Sequence, residues 1–253
     1  MIDPRTYSAT PDLLRDRVVL VTGAGRGIGR VAALAFAAHG ATVVLHGRDT
    51  ERLAAVYDEI EASSAPTPAA VPLDFETAGP REFDALAGAI EQAVGRLDGI
   101  LHSALHLERL ALAESIDPAA WTRLMRVNFI APLALTRACL SMLQRAPDAS
   151  VIYTSDSHVA TPTAYWSGVA APKAALLAAM GAQADEWSRL PHMRVNAVVP
   201  GPVASPARAF THPGAAPATL PSPEAILPTY LWLMGADSRG VSGQIFDCSA
   251  RAE

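Results

Sequence analysis

The chain is poor in the residue types that mark several functional classes. Nineteen of its twenty basic residues are arginine, and Lys173 is its one lysine. Asparagine stands only at Asn128 and Asn196, and cysteine only at Cys139 and Cys248. Two cysteines so far apart, with no CxxC pair, argue against a disulfide framework and against a zinc site. The basic residues form no run and the net charge is −5, which argues against nucleic acid as a partner. No stretch approaches the roughly 18 apolar residues needed to span a bilayer. Residues 1–10 are polar, holding Asp3, Pro4 and Arg5; without a signal-peptide core, the expected location is the cytoplasm, away from any membrane.

What is present is an ordinary globular composition, half hydrophobic and 18% charged over 253 residues. That suits one domain spanning 1–253. Apolar runs of strand length alternate with longer helical stretches. The pattern predicts strands at 17–21, 41–46, 70–73, 99–102, 150–154, 193–199 and 244–247. It predicts helices at 28–39, 50–62 (with Thr50 as cap), 80–94, 118–143, 165–189 and 226–234. Such alternation implies right-handed βαβ units. The expected fold is therefore α/β, a Rossmann-type doubly wound sheet of about seven mostly parallel strands with helices on both faces. Ligands of such sheets lie beyond the carboxyl ends of the strands. Residues 199–228 hold eight of the twenty prolines, which reads either as a lid, at about 200–224, or as a plain surface crossing. Residues 203–220 are mostly small and apolar, so charge is not what such a lid is expected to recognise.

The first strand feeds Gly23, Gly25, Arg26, Gly27, Ile28 and Gly29 into the first helix. Glycines there permit positive φ and let backbone approach a pyrophosphate. The helix N-terminus adds unpaired N–H groups and partial positive charge. Strand, glycine turn and helix in that order are the context a dinucleotide site requires.

These residues, as Thr22-Gly-x-x-x-Gly-x-Gly29, resemble the cofactor turn of the short-chain dehydrogenase/reductase family. The resemblance runs over about 12–247. Asp74, after Leu73, resembles the family's acidic residue at the adenine. Asn128 matches its active-site asparagine, and Lys173 its catalytic lysine. Arg194-Val-Asn196, Pro200 and Gly201, with Val203 just beyond, resemble its sixth strand and nicotinamide-side turn. Residues 231–239 resemble a bacterial subgroup of unspecified oxidoreductases.

NAD-specific sites usually carry a carboxylate after the second strand. Here that strand ends Leu45-His46-Gly47-Arg48. Arg48 and Arg26 offer planar guanidinium groups for a 2′-phosphate. NADP(H) is expected over NAD(H), although Arg48 beside Asp49 and Glu51 can equally be read as a solvated residue ahead of a helix.

The resemblance implies a tyrosine acid/base four residues before the lysine and a serine about thirteen before the tyrosine. Val169 and Asp156 hold those positions. Ser155 and Ser157 flank Asp156, so a shift of one residue would supply a hydroxyl. Pro172, just before Lys173, is expected only in a helix's first turn. Leu105 stands where the family has a glycine and adds bulk beside the cofactor's path. Tyr165, His158 and Asp156 are the groups that could replace the missing acid. Each also has an ordinary role: Tyr165 packing beside Trp166, His158 in a surface loop, Asp156 capping a turn. The catalytic candidates are thus Lys173, Asn128, Asp156 and Tyr165, and no metal site is expected. The resemblance implies an oxidoreductase passing a hydride between NADP(H) and a small carbonyl or alcohol substrate, with a weakened acid/base site. The alternative is a non-catalytic nucleotide-binding protein acting as sensor or scaffold. The resemblance also implies a homodimer or homotetramer built on the two long helices.

Overall fold

A computed structural model describes residues 3–249. In chain order the elements are β1 (Val18–Thr22), α1 (Gly27–Ala38), β2 (Thr42–Gly47), α2 (Thr50–Glu61), β3 (Ala69–Pro72), α3 (Pro80–Val94), β4 (Gly99–His102), α4 (Pro118–Met125), α5 (Ala131–Ala138) and α6 (Leu140–Arg145). They continue with β5 (Ala149–Thr154), α7 (Ser167–Glu186), β6 (Met193–Val199), α8 (Pro206–Thr211), α9 (Leu227–Met234) and β7 (Ile245–Asp247). The strands form one sheet in the order β3-β2-β1-β4-β5-β6-β7, and every pairing is parallel.

Burial explains why the inner strands read as unbroken apolar runs. Every residue of β1 and β6 is buried, because helices cover both faces of a parallel sheet. On one face Phe36 of α1, Val56 of α2 and Leu233 of α9 join a common core. On the other, Ile90 of α3, Leu135 of α5, Leu143 of α6 and Leu176 of α7 form a second. Each fully buried side chain of this size contributes about 1.5–3 kcal/mol of transfer free energy. The strand order reverses between β1 and β4, which opens a crevice at their carboxyl ends.

Four features depart from the pattern in the sequence. The helix predicted over 118–143 is divided: a π-helical turn, Arg126–Ile130, separates α4 from α5, and α6 begins anew at Leu140. Pro132 follows directly on that π turn; its missing N–H and its ring deny the carbonyl four residues back, that of Asn128, the usual helical bond. Asp49, not Thr50, caps α2, accepting from the Arg52 N–H. Pro172 lies inside α7, five residues past its start at Ser167 and beyond the first turn. The proline-rich segment contains a helix, α8, capped by Ser205 accepting from Arg208 N–H at 3.2 Å.

At the sheet's amino end Asp148 is buried between two guanidinium groups. It accepts from Arg17 at 2.7 Å and from the fully buried Arg194. Burial pushes its carboxyl up, but the two arginines outweigh that and hold it below its ordinary value. This cluster fastens β1, β5 and β6 at the end opposite the crevice.

Candidate active site

The turn after β1 leaves no room for a side chain at Gly23 or Gly29. Gly23 has φ 69° and Gly27 φ 57°, a region L-residues avoid. A Cβ on Gly23 would sit 2.9 Å from the Ala104 Cα, and one on Gly29 would run into the Gly23 carbonyl oxygen. Thr22 Oγ1 accepts from the N–H groups of Ser103 and Ala104, both at 3.1 Å. That ties the ends of β1 and β4 together beneath the turn. Arg26 is the N-cap residue of α1, and its side chain makes no capping bond.

A cleft of about 750 Å³ opens here, lined from the carboxyl ends of the sheet and from the segment carrying α8. Gly23, Gly25, Arg26, Gly27 and Ile28 form one wall; Gly29 packs behind them. Arg48 and Asp74 lie beyond β2 and β3. Arg48 is 60% exposed and stands 3.9 Å from Glu76. Asp74 accepts from the Glu76 N–H at 2.9 Å. His46, buried face to face with Phe75 at 4.2 Å, is held down to about 4 by burial and so is neutral at pH 7. Pro200, Gly201 and Val203 close the far wall. Leu105 lines the cleft but is 37% exposed, so its bulk turns partly to solvent and leaves the cleft open. Among the lining residues that escaped the sequence reading are Arg52, Arg208, Phe210 and Thr211. The Ser205-Pro206 pair was a legible helix start for the last three.

Lys173 lies at the cleft floor, buried, donating to the Thr154 carbonyl at 2.7 Å. Burial lowers its ammonium to about 8, and the nearby Asp156 carboxylate acts against that. Val169, one turn earlier, also lines the cleft and offers no proton. Asp156 caps a 3-10 turn, accepting at Oδ1 from the His158 N–H at 2.9 Å and from the ring Nδ1 at 2.6 Å. The His158 ring lies flat on Trp166, centroids 3.6 Å apart at 6°. Ser155 Oγ is buried at the cleft with no partner.

One sequence expectation needs correction. Tyr165 does not lean into the site: it has φ 72°, is 53% exposed and is absent from the cleft lining. The left-handed turn at Tyr165 directs it outward before α7 begins. Asn128 is fully buried beside the cleft. Its Oδ1 accepts from the His106 N–H and its Nδ2 donates to the His106 carbonyl, both at 2.9 Å. The side chain is spent on clamping the segment after β4, and Asn128 is a positioning residue.

The site fits a dinucleotide. The glycine cradle admits only backbone, the N-terminus of α1 faces the cleft, and Ser155 Oγ and Arg208 Nε are buried polar atoms left unpartnered. Residues 17–215 match the family model described as short chain dehydrogenase. The chain belongs to the short chain dehydrogenase family. It is 39% identical over 241 residues to the uncharacterized oxidoreductase YciK of Escherichia coli (strain K12), covering 95% of both chains. A short chain dehydrogenase structure from Pseudomonas syringae is 41% identical with a TM-score of 0.93, over 96% of this chain and 98% of that one. Another, from Escherichia coli CFT073 and complexed with NADPH, is 39% identical with a TM-score of 0.92, over 96% of this chain and all of that one. These relatives bear out the doubly wound fold and the oxidoreductase family. No described helix is long and apolar enough to cross a membrane.

Proposed function

We propose that the protein is an NADP(H)-dependent oxidoreductase acting on a carbonyl/alcohol pair. The observation that carries this is the coincidence of the glycine cradle and the buried Lys173 in one cleft. The NADPH held by the Escherichia coli CFT073 relative supports the choice of nucleotide. When bound, NADPH supplies a hydride. The N–H groups at the start of α1 would hold the pyrophosphate, and Arg48 and Arg26 would take the 2′-phosphate. Asp74 stands at the adenine side. Lys173 would hold the nicotinamide-side ribose, and Pro200, Gly201 and Val203 would bound that end. Asn128 holds the segment after β4 in place through His106. The reading includes a cytoplasmic location and a homodimer or homotetramer, favoured by the exposed alanines at 171, 174 and 178 along α7.

The test is a titration with NADPH and NADH followed by nicotinamide fluorescence, then a screen of carbonyl compounds for NADPH oxidation. Tight NADPH binding, weaker NADH binding and turnover support the reading; absence of binding overturns it. One observation favours a second reading, a non-catalytic nucleotide sensor or scaffold: Val169 stands where the family has its proton donor. If only the V169Y variant turns over, that second reading prevails.

A further inference from the structure

We propose that His158, oriented by Asp156, supplies the proton that the family takes from tyrosine. This rests on the oxidoreductase reading above.

The cleft floor offers few proton donors. Lys173 is buried, and its ammonium is engaged with the Thr154 carbonyl. Val169 has no proton, and Tyr165 faces solvent. His46, within β2, is sealed against Phe75, and the His106 Nε2 is bound to Glu108 at 3.0 Å. His158 alone among the lining histidines is both held and open on one side. Its Nδ1 is bonded to Asp156 and its plane is fixed against Trp166. With Nδ1 engaged, Nε2 is the nitrogen left for a substrate oxygen. A carboxylate on Nδ1 keeps the proton there and so settles the tautomer. Asp156 occupies the family's serine position, directly at the end of β5, so the dyad stands beside the lysine rather than at a distant surface. Asp156 also lies within the field of Lys173.

The charged and titratable groups around His158 come from three elements. Asp156 is on its own turn and Lys173 is on α7. Arg208 is on α8 and His212 follows it; Trp166 lies between His158 and His212, at 5.5 Å from the latter. Burial, Arg208 and His158 together lower the His212 imidazole, which places these basic groups in one neighbourhood.

Reduction adds a hydride, with its electron pair, to the carbonyl carbon and leaves NADP⁺. The C=O π pair becomes the bond between oxygen and the proton given by the His158 imidazolium at Nε2. The neutral ring keeps its Nδ1 proton on Asp156 and regains the other from solvent. In the oxidation direction the neutral Nε2 takes the hydroxyl proton.

The experiment uses the whole protein and the H158Q variant, which keeps a polar side chain but cannot titrate. Phenanthrenequinone and para-nitrobenzaldehyde serve as carbonyl probes with NADPH. The expected result is that H158Q lowers kcat on the order of 100-fold, leaves the NADPH Kd within about twofold, and removes the limb of the pH–kcat profile on which a single group deprotonates. D156N should lower kcat and shift that limb without abolishing it. Two readouts need no turnover. Nitrogen-15 NMR should find neutral His158 as the Nδ1–H tautomer, and Trp fluorescence should carry a pH-dependent quench, from the imidazolium over Trp166, that H158Q lacks. If the wild type turns over and H158Q keeps both kcat and the limb, the dyad assignment falls and the oxidoreductase reading stands. An Nε2–H tautomer overturns the assignment as well. If the wild type binds NADPH but oxidises it with neither probe, both fall.

Discussion

Lys173 and Val169 stand one helical turn apart on α7, both buried, and the lysine ammonium is bonded to the Thr154 carbonyl at 2.7 Å. Four residues on a helix share a face, so the valine methyls lie where a lysine partner would be expected. The lysine is kept in a place that burial makes unfavourable for its charge.

That cost is measurable. Burial holds the ammonium at about 8, against an ordinary 10.5, a difference worth roughly 3 kcal/mol. The folded value lies below the unfolded one. The penalty is therefore full below about pH 8 and is relieved as pH rises toward 10.5. K173M removes the charge and also the hydrogen bond to Thr154, worth about 1 kcal/mol. The expected net gain for the nucleotide-free protein at pH 7 is about 2 kcal/mol, or a Tm rise of about 5 °C. Thermal melts should show this gain vanish by about pH 10.5, and NADPH oxidation should fall in the same variant. A Tm that drops at pH 7 would contradict the assignment of a strained buried ammonium.

Arg48 is predicted to choose the nucleotide. A hydrogen bond to a charged group is worth about 1.5–3 kcal/mol, and the side chain is 60% exposed, so solvent screening favours the low end. R48E should weaken NADPH binding about tenfold or more and leave NADH binding nearly unchanged. E76Q, which removes the carboxylate 3.9 Å from Arg48, should strengthen NADPH binding by a few-fold at most. Isothermal titration of both nucleotides against both variants checks this; equal losses for NADPH and NADH in R48E would refute it.

Most of the fold was legible because β1, β4, β5 and β6 are buried on both faces, which forces continuous apolar runs bounded by turn residues. The glycine turn was legible because its conformation excludes side chains. The break between α4 and α5 was not. Its alanine- and leucine-rich flanks look helical throughout; Pro132, just past the π turn, was the signal passed over, while the Asn128 bonds to His106 reach across 22 residues that no local pattern connects. Position alone marked Tyr165 as catalytic. Side-chain direction decided otherwise, since Tyr165 turns on a left-handed φ. The Asp156–His158 bond depends on the 3-10 turn after β5, and no periodicity announces such a turn. The composition of the 199–228 segment was no guide to its charged groups: among mostly small residues, Arg208 lines the cleft and His212 lies beside Trp166.

Gly29 gives a test of the cradle. Its Cβ would collide with a backbone carbonyl, not with a flexible side chain, so relief requires the turn itself to move. G29A should cost on the order of 1–3 kcal/mol of stability, as overpacking does, and should weaken NADPH and NADH alike. Fluorescence titration and thermal melts report both. G88A is the control: Gly88 lies in α3, and a methyl group there would meet nothing within 4 Å. Helix propensity predicts a gain of about 0.5–1 kcal/mol for that variant.

Asp148 tests the opposite end of the sheet. Its carboxyl is 3% exposed between Arg17 and Arg194. D148N leaves the buried Arg194 guanidinium without its counter-charge, a loss expected to cost about 3–5 kcal/mol. Because the folded carboxyl titrates below its ordinary 3.8, its contribution is complete above about pH 4 and is lost as pH falls through the folded value. Wild type should therefore lose stability on acidification below pH 4 more steeply than D148N, and the two curves should converge. The site lies beyond the other end of the strands, so NADPH affinity of folded D148N, measured at low temperature, should stay within about twofold of wild type, an additivity expected for separated positions. Parallel denaturation curves at all pH values would show that the arginines, and not the carboxylate's ionisation, account for the stability of this cluster.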